Sequence, residues 1–120
     1  MKEENVLAFV GATIKSVWAL EVLLLLRRDG KKRTPNEIER ELRGSPVAVK
    51  EAVQSLRIAG LVAENEGGTF GYSPASPTLD EAVAAIAALY MLKPVAIIRA
   101  IAASPSTKLK SFSDAFRFRD

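Results

Sequence analysis

The chain contains no cysteine and no histidine. Without cysteine there are no disulfides, no thiolate chemistry and no cysteine-based zinc sites. Without histidine the commonest general base and the commonest protein metal ligand are both missing. Carboxylate-only catalysis stays open in principle, but most acidic residues stand beside basic ones at helical spacing. The expectation is therefore a non-enzymatic protein that needs no metal or cofactor. Aromatic residues make up 7% of the chain, and there is no low-complexity tract. What is present is ordinary for a globular protein: 120 residues, 48% hydrophobic and 26% charged, with a net charge of +3. That length supports a single core, and the mild basic excess permits nucleic acid or an acidic partner without selecting either.

Long uninterrupted hydrophobic runs are also missing. Val6–Leu26 has the length of a bilayer span, but it carries Lys15 and Glu21. Each costs ~3 kcal/mol near a helix centre on insertion scales. Gly11, Thr13 and Ser16 weaken it further, and no signal-peptide pattern precedes it. The expectation is a soluble, cytoplasmic chain with no membrane role.

Residues 5–28 read as one long helix. Trp18 and Val22–Leu26 point in nearly every direction around its axis, so it must be buried all round. One side then faces the domain and the other a second subunit. "RRDGKKR" ends this helix, with cations suited to its C-terminal dipole and Gly30 as the stop. "TPNEIERELRG" starts a short helix, with Thr34 as N-cap, Pro35 in the first turn and Glu37 completing a capping box. Ile38 and Leu42 face inward, and Gly44 ends the helix. Ser45 and Pro46 repeat the start signal. In this third helix Val49, Ala52, Val53, Leu56 and Ala59 share one face, while Val47, Lys50, Glu51, Gln54, Arg57 and Ile58 share the other.

The period then changes to extended runs at Leu61–Glu64 and Thr69–Tyr72 around Glu66-Gly67-Gly68, a two-stranded hairpin. Pro74 and Pro77 end it. From Thr78 helix returns, with Leu79, Val83, Ile86 and Tyr90 as a stripe and alanines that permit close packing or line a ligand pocket. Pro94 predicts a break near Lys93 and a further helix, Pro94–Ala103, carrying Ile97, Ile98 and Ile101. Leu109, Phe112 and Phe116 form a last apolar stripe in a basic segment, which either docks on the domain or across the dimer or offers a contact to another protein or to nucleic acid.

The order helix, short helix, capped helix and glycine hairpin resembles a winged helix-turn-helix. The likeness is carried by "EIERELRGSPVAVKEAVQSLRIAGLVAENEGGTFGY", with Ile38, Leu42, Val49, Val53 and Leu56 at core positions and Gly60-Leu61-Val62 leading into the wing. It is similar to the small bacterial transcriptional regulators of the MarR, PadR and ArsR type over about half the chain. The resemblance implies a mainly α (α+β) protein with a two-stranded wing and N- and C-terminal dimerisation helices. It divides the chain into a winged-helix part over 1–76 and a helical dimerisation or docking part over 77–120, together one compact unit. It also implies a homodimer that binds double-stranded DNA and regulates transcription.

In that reading the helix over 46–59 enters the major groove. Gln54 pairs with adenine and Lys50 with guanine, while Val47 or Ala48 touches a thymine methyl. Lys31, Lys32, Arg33 and Thr34 lie near phosphates. Ser45, Glu51, Arg57 and Thr69 complete the candidate DNA-binding set. The dimer seam is expected at Leu7, Val10, Ile14, Trp18, Ile86, Leu89, Tyr90, Ile97 and Ile101. A recognition face with few cations and a wing bearing Glu64 and Glu66 support a second reading, a winged-helix protein–protein interaction module without direct DNA binding.

Overall fold

The computed structural model describes residues 1–103; the segment with Leu109, Phe112 and Phe116 lies outside the described residues. The predicted first helix is two helices, α1 (Glu3–Thr13) and α2 (Val17–Asp29), bent by 110°. Ile14 and Ser16 are extended, and the Ser16 hydroxyl accepts a hydrogen bond from the Ala19 amide at 3.0 Å, starting α2 afresh. Hydrophobicity continues across this break, so a pattern of apolar residues cannot reveal it. The N-cap serine can. At the other end Gly30 terminates α2 in the left-handed conformation (φ 67°).

Helix α3 (Pro35–Leu42) begins with the full Thr34–Glu37 capping box. It ends one residue earlier than Gly44, at Arg43, which itself adopts a left-handed φ of 55°. Ser45 caps α4 (Pro46–Ile58), its hydroxyl accepting from the Ala48 amide. Strands β1 (Val62–Asn65) and β2 (Thr69–Tyr72) are antiparallel, with Val62 opposite Tyr72 and Asn65 opposite Thr69. Gly67 and Gly68 turn the chain between them with φ 76° and 71°, which an L side chain would resist. Arg33 adds a single rung to the free edge of β2: its amide donates to the Phe70 carbonyl at 2.9 Å and its carbonyl accepts from the Phe70 amide at 2.7 Å. Ser76 then caps α5 (Pro77–Leu92), which breaks at Lys93 into α6 (Pro94–Ala102) with a bend of 118°. The result is a mainly helical α+β chain with one two-stranded sheet.

Helix α2 is the centre of the core. Leu20, Val22, Leu23 and Leu26 are fully buried and Leu25 nearly so. Helix α4 covers it most extensively, with α3 and β2 on other sides. Helix α1 packs instead on α5 and α6. One hydrophobic cluster runs from Val6 to Ile101 and joins both ends of the described chain. The all-round apolarity of α2 is thus satisfied within one chain and does not require a second subunit. Among the described residues no single helix is long and apolar enough to cross a membrane.

Trp18 is exposed along one edge, but its ring lies over Gly44. A Cβ at Gly44 would sit 2.9 Å from Trp18 Cζ3 and 3.2 Å from Val49 Cγ2. This close approach explains the glycine between α3 and α4, since the left-handed position belongs to Arg43. Gly44→Ala is expected to cost about 1–3 kcal/mol through overpacking and to shift Trp18 fluorescence. Urea unfolding would measure the loss, and an unchanged midpoint would mean that the ring yields freely.

Candidate nucleic-acid interface

The fold brings the predicted α4 residues onto one outward face. Val47, Lys50, Glu51, Arg57 and Ile58 are exposed, and Gln54 and Ala48 are half-buried. Val47 and Ile58 keep 67% and 79% of their surface in solvent, high values for β-branched side chains. Arg57 and Gln54 are tied together, Nε donating to Oε1 at 3.1 Å. Lys50 and Gln54 line a shallow groove with the start of α3 and the hairpin, about 380 Å³ in volume. Glu39 and Glu64 line that groove too, so carboxylates flank its one lysine.

Several predicted contacts are engaged locally. The Thr34 hydroxyl accepts from the Glu37 amide and donates to Glu37 Oε1, completing the cap of α3. Ser45 spends its oxygen on the α4 cap, and Thr69 donates to the Glu66 carbonyl. Lys31 and Lys32 remain exposed, although the stem of Lys32 covers Gly71.

Arg33 differs most from the expectation of a phosphate contact. Its side chain is only 15% exposed, bonded to Asp29 and 3.9 Å from Glu41. Its Nε is buried with no hydrogen-bond partner. The guanidinium joins the end of α2 to α3 while its backbone holds β2, so the residue serves the fold. The cations that do stand free on α3 are Arg40 and Arg43, both exposed and without an ion pair among the described residues. Sequence reading passed over them. The available signal was their position opposite Ile38 and Leu42 on a short amphipathic helix.

The expected dimer seam divides in two. Val10, Ile14, Ile86 and Ile97 are fully buried and Ile101 nearly so, within the chain's own core, because α1, α5 and α6 pack on one another. These five offer no surface to a partner. Leu7, Leu89 and Tyr90 are half-buried, and Trp18 is committed to Gly44 on one face. The apolar surface lies one turn further on, at the corner of α5 and α6, where Met91, Leu92, Val95 and Ile98 are exposed.

Two carboxylates at these junctions titrate low. The Lys31 backbone amide, and then the Arg33 side chain, hold Asp29 below its ordinary value of 3.8. The Thr34 backbone amide and hydroxyl hold Glu37 below 4.5. A carboxylate with a lowered folded pKa stabilises the fold fully above its ordinary value, and that stabilisation disappears as pH falls through the lower folded value. Acid titration of stability is therefore expected to show a loss beginning below about pH 4.5. Asp29→Asn and Glu37→Gln should flatten it, and an unchanged acid limb in both variants would contradict the assignment. Arg33→Gln is expected to reduce stability by about 1–3 kcal/mol, because it leaves partly buried polar groups unpaired; equilibrium unfolding checks this.

Comparison with known proteins returns no match, whether among family models, curated proteins or solved structures.

Proposed function

We propose that the chain is a winged-helix DNA-binding regulator of transcription, working in the cytoplasm as a homodimer. The observation that carries this reading is the arrangement of α3, α4 and the hairpin. A short capped helix and a tight turn present a second helix with Val47, Lys50, Glu51, Arg57 and Ile58 exposed on its outer face, beside a glycine-tipped hairpin fixed to the same unit. Such a helix fits the major groove, with Lys50 and Gln54 directed at base edges and Val47 at a thymine methyl. Lys31, Lys32, Arg40 and Arg43 are exposed cations on the linker and α3, suited to flanking phosphates. Arg33 has no part in this assignment.

A dimer would place two α4 helices in grooves about 34 Å apart. The exposed corner of Leu92, Val95 and Ile98 supports it as the place where copies meet, since apolar patches of this kind mark interfaces. The second reading, a protein-binding winged helix, is favoured by the exposure of Val47 and Ile58 and by Glu39 and Glu64 in the groove.

Gel-shift titration with genomic fragments separates the two readings. Lys50→Ala and Gln54→Ala should each weaken the preferred sequence by about 1–3 kcal/mol. Lys31→Ala and Lys32→Ala should weaken all sequences alike and reduce the salt slope by about one each. Absence of any salt-sensitive binding would overturn the DNA reading. Leu92→Glu should give a monomer in light scattering, with weaker DNA binding and an unchanged fold; a wild-type chain that is already monomeric when bound to DNA would remove the dimer from the proposal.

A further inference from the structure

The groove beside α4 is walled by the starts of α3 and α4 and by the hairpin. Pro35 and Pro46 stand at the two helix starts, and the buried Val53 and Phe70 form an apolar floor. Its charged lining is Glu39, Glu64 and Lys50. Neither carboxylate has an ion pair among the described residues, so Lys50 engages neither of them. Of the charges next to these residues, Arg40 and Arg57 stand against Glu51 and Glu66 and cancel. Lys32 is laid over Gly71, and Arg33 is bonded to Asp29. Glu39 is half-buried, and a carboxylate that loses water without gaining a donor is the unfilled half of a charge-assisted contact.

The apolar surface continues past both ends of the groove. On α4, Val47 lies one turn before Lys50 and Ile58 one turn after Gln54, and both are exposed. Helical periodicity puts Val47 and Ile58 on one face, roughly 16 Å apart along the axis. About five residues of extended chain cover that length. A shallow groove extended in this way suits a stretch of protein chain, whereas a small ligand would stay largely in water. Glu39 and Glu64 favour a cation on that chain and repel phosphate at the same place.

We propose that this face docks an extended segment of another protein. A Lys or Arg of the segment lies on Glu39 and Glu64, and apolar side chains two residues to either side lie on Val47 and Ile58. Alternate residues of an extended chain share a side, so one side of the segment makes all of these contacts. The segment covers Lys50 and Gln54, and its occupancy excludes DNA. The docking rests on the protein-binding reading given above, and the exclusion rests on the DNA reading.

The test uses the full chain and three blocked pentapeptides, acetyl-Leu-Ser-Arg-Ser-Leu-amide and its analogues with Gln or Glu in place of Arg. In an amide NMR titration without DNA, the Arg peptide should produce saturable shifts at residues 35–39, 46–58 and 64–70. The Gln peptide should bind about tenfold more weakly, the scale of one hydrogen bond to a charged group, and the Glu peptide should not saturate. Glu39→Gln combined with Glu64→Gln should bring the Arg peptide down to the level of the Gln peptide, with the thermal midpoint unchanged. If that double variant is destabilised, the exposed Glu64→Gln alone should still weaken the Arg peptide and leave the Gln peptide unaffected. In gel shifts, saturating Arg peptide should displace DNA.

Equal binding of the Arg and Gln peptides, or full Arg-peptide affinity in the folded glutamate variants, would overturn the cation site while leaving a protein-binding face. Saturable shifts from none of the three peptides would overturn both. DNA held as tightly with the peptide as without it would overturn the exclusion. Absence of DNA binding in the peptide-free lanes would remove the DNA reading and the exclusion with it, and the NMR titration would still decide the docking.

Discussion

Everything else in this molecule rests on the burial of α2. Thirteen residues from Val17 to Asp29 put six side chains into the core, and the elements around them are placed by the need to cover them. Burying a leucine completely is worth about 1.5–3 kcal/mol, so the leucine run outweighs any single cap, turn or ion pair nearby. Helix α4 lies on one side of α2 and β2 on another. Their relative position is therefore set from underneath, by a helix that contributes nothing to the outer face of α4. The outer face is free to carry residues chosen for something other than stability, and it carries Val47 and Ile58.

The same constraint explains which parts of the sequence could be read. The capped starts at Thr34 and Ser45, the break at Lys93 and the glycine hairpin are local devices, each written in adjacent residues; the cap at Ser76, with Pro77 opening α5 instead of closing the hairpin, was passed over. The division between α1 and α2 was hidden, because Val10, Ile14, Leu20 and Leu23 sustain apolar periodicity on both sides of Ser16. A helix apolar in all directions was legible as buried, but what buries it was not. Coverage by α4, α3 and β2 comes from partners distant in sequence, and a second subunit would leave the same composition. That ambiguity sent Val10, Ile14, Ile86, Ile97 and Ile101 to a predicted seam when they are interior.

The candidate site was legible by face and not by engagement. Helical spacing correctly grouped Lys50, Gln54 and Arg57 on the open side of α4. Spacing cannot reveal that Gln54 is bonded to Arg57, that Thr34 is consumed by its own cap, or that Arg33 is held between Asp29 and Glu41. A cation in a basic run and a cation in an ion pair look alike until the carboxylates are placed in space. Arg27 and Arg28 belong to that same run, yet they line a groove with Tyr72, Ala87 and Met91, away from α4.

The rung between Arg33 and Phe70 also bears on how the protein behaves in a crowded solution. A two-stranded ribbon has two open edges, each a template for pairing with another molecule. Here the β2 edge is met by the Arg33 backbone, with Lys32 laid across Gly71. The β1 strand carries the exposed charge of Glu64. One edge is occupied and the other strand is charged, so the hairpin is guarded against edge-to-edge aggregation. The acidic residue that weakens the case for a phosphate contact is, in this respect, a safeguard of solubility.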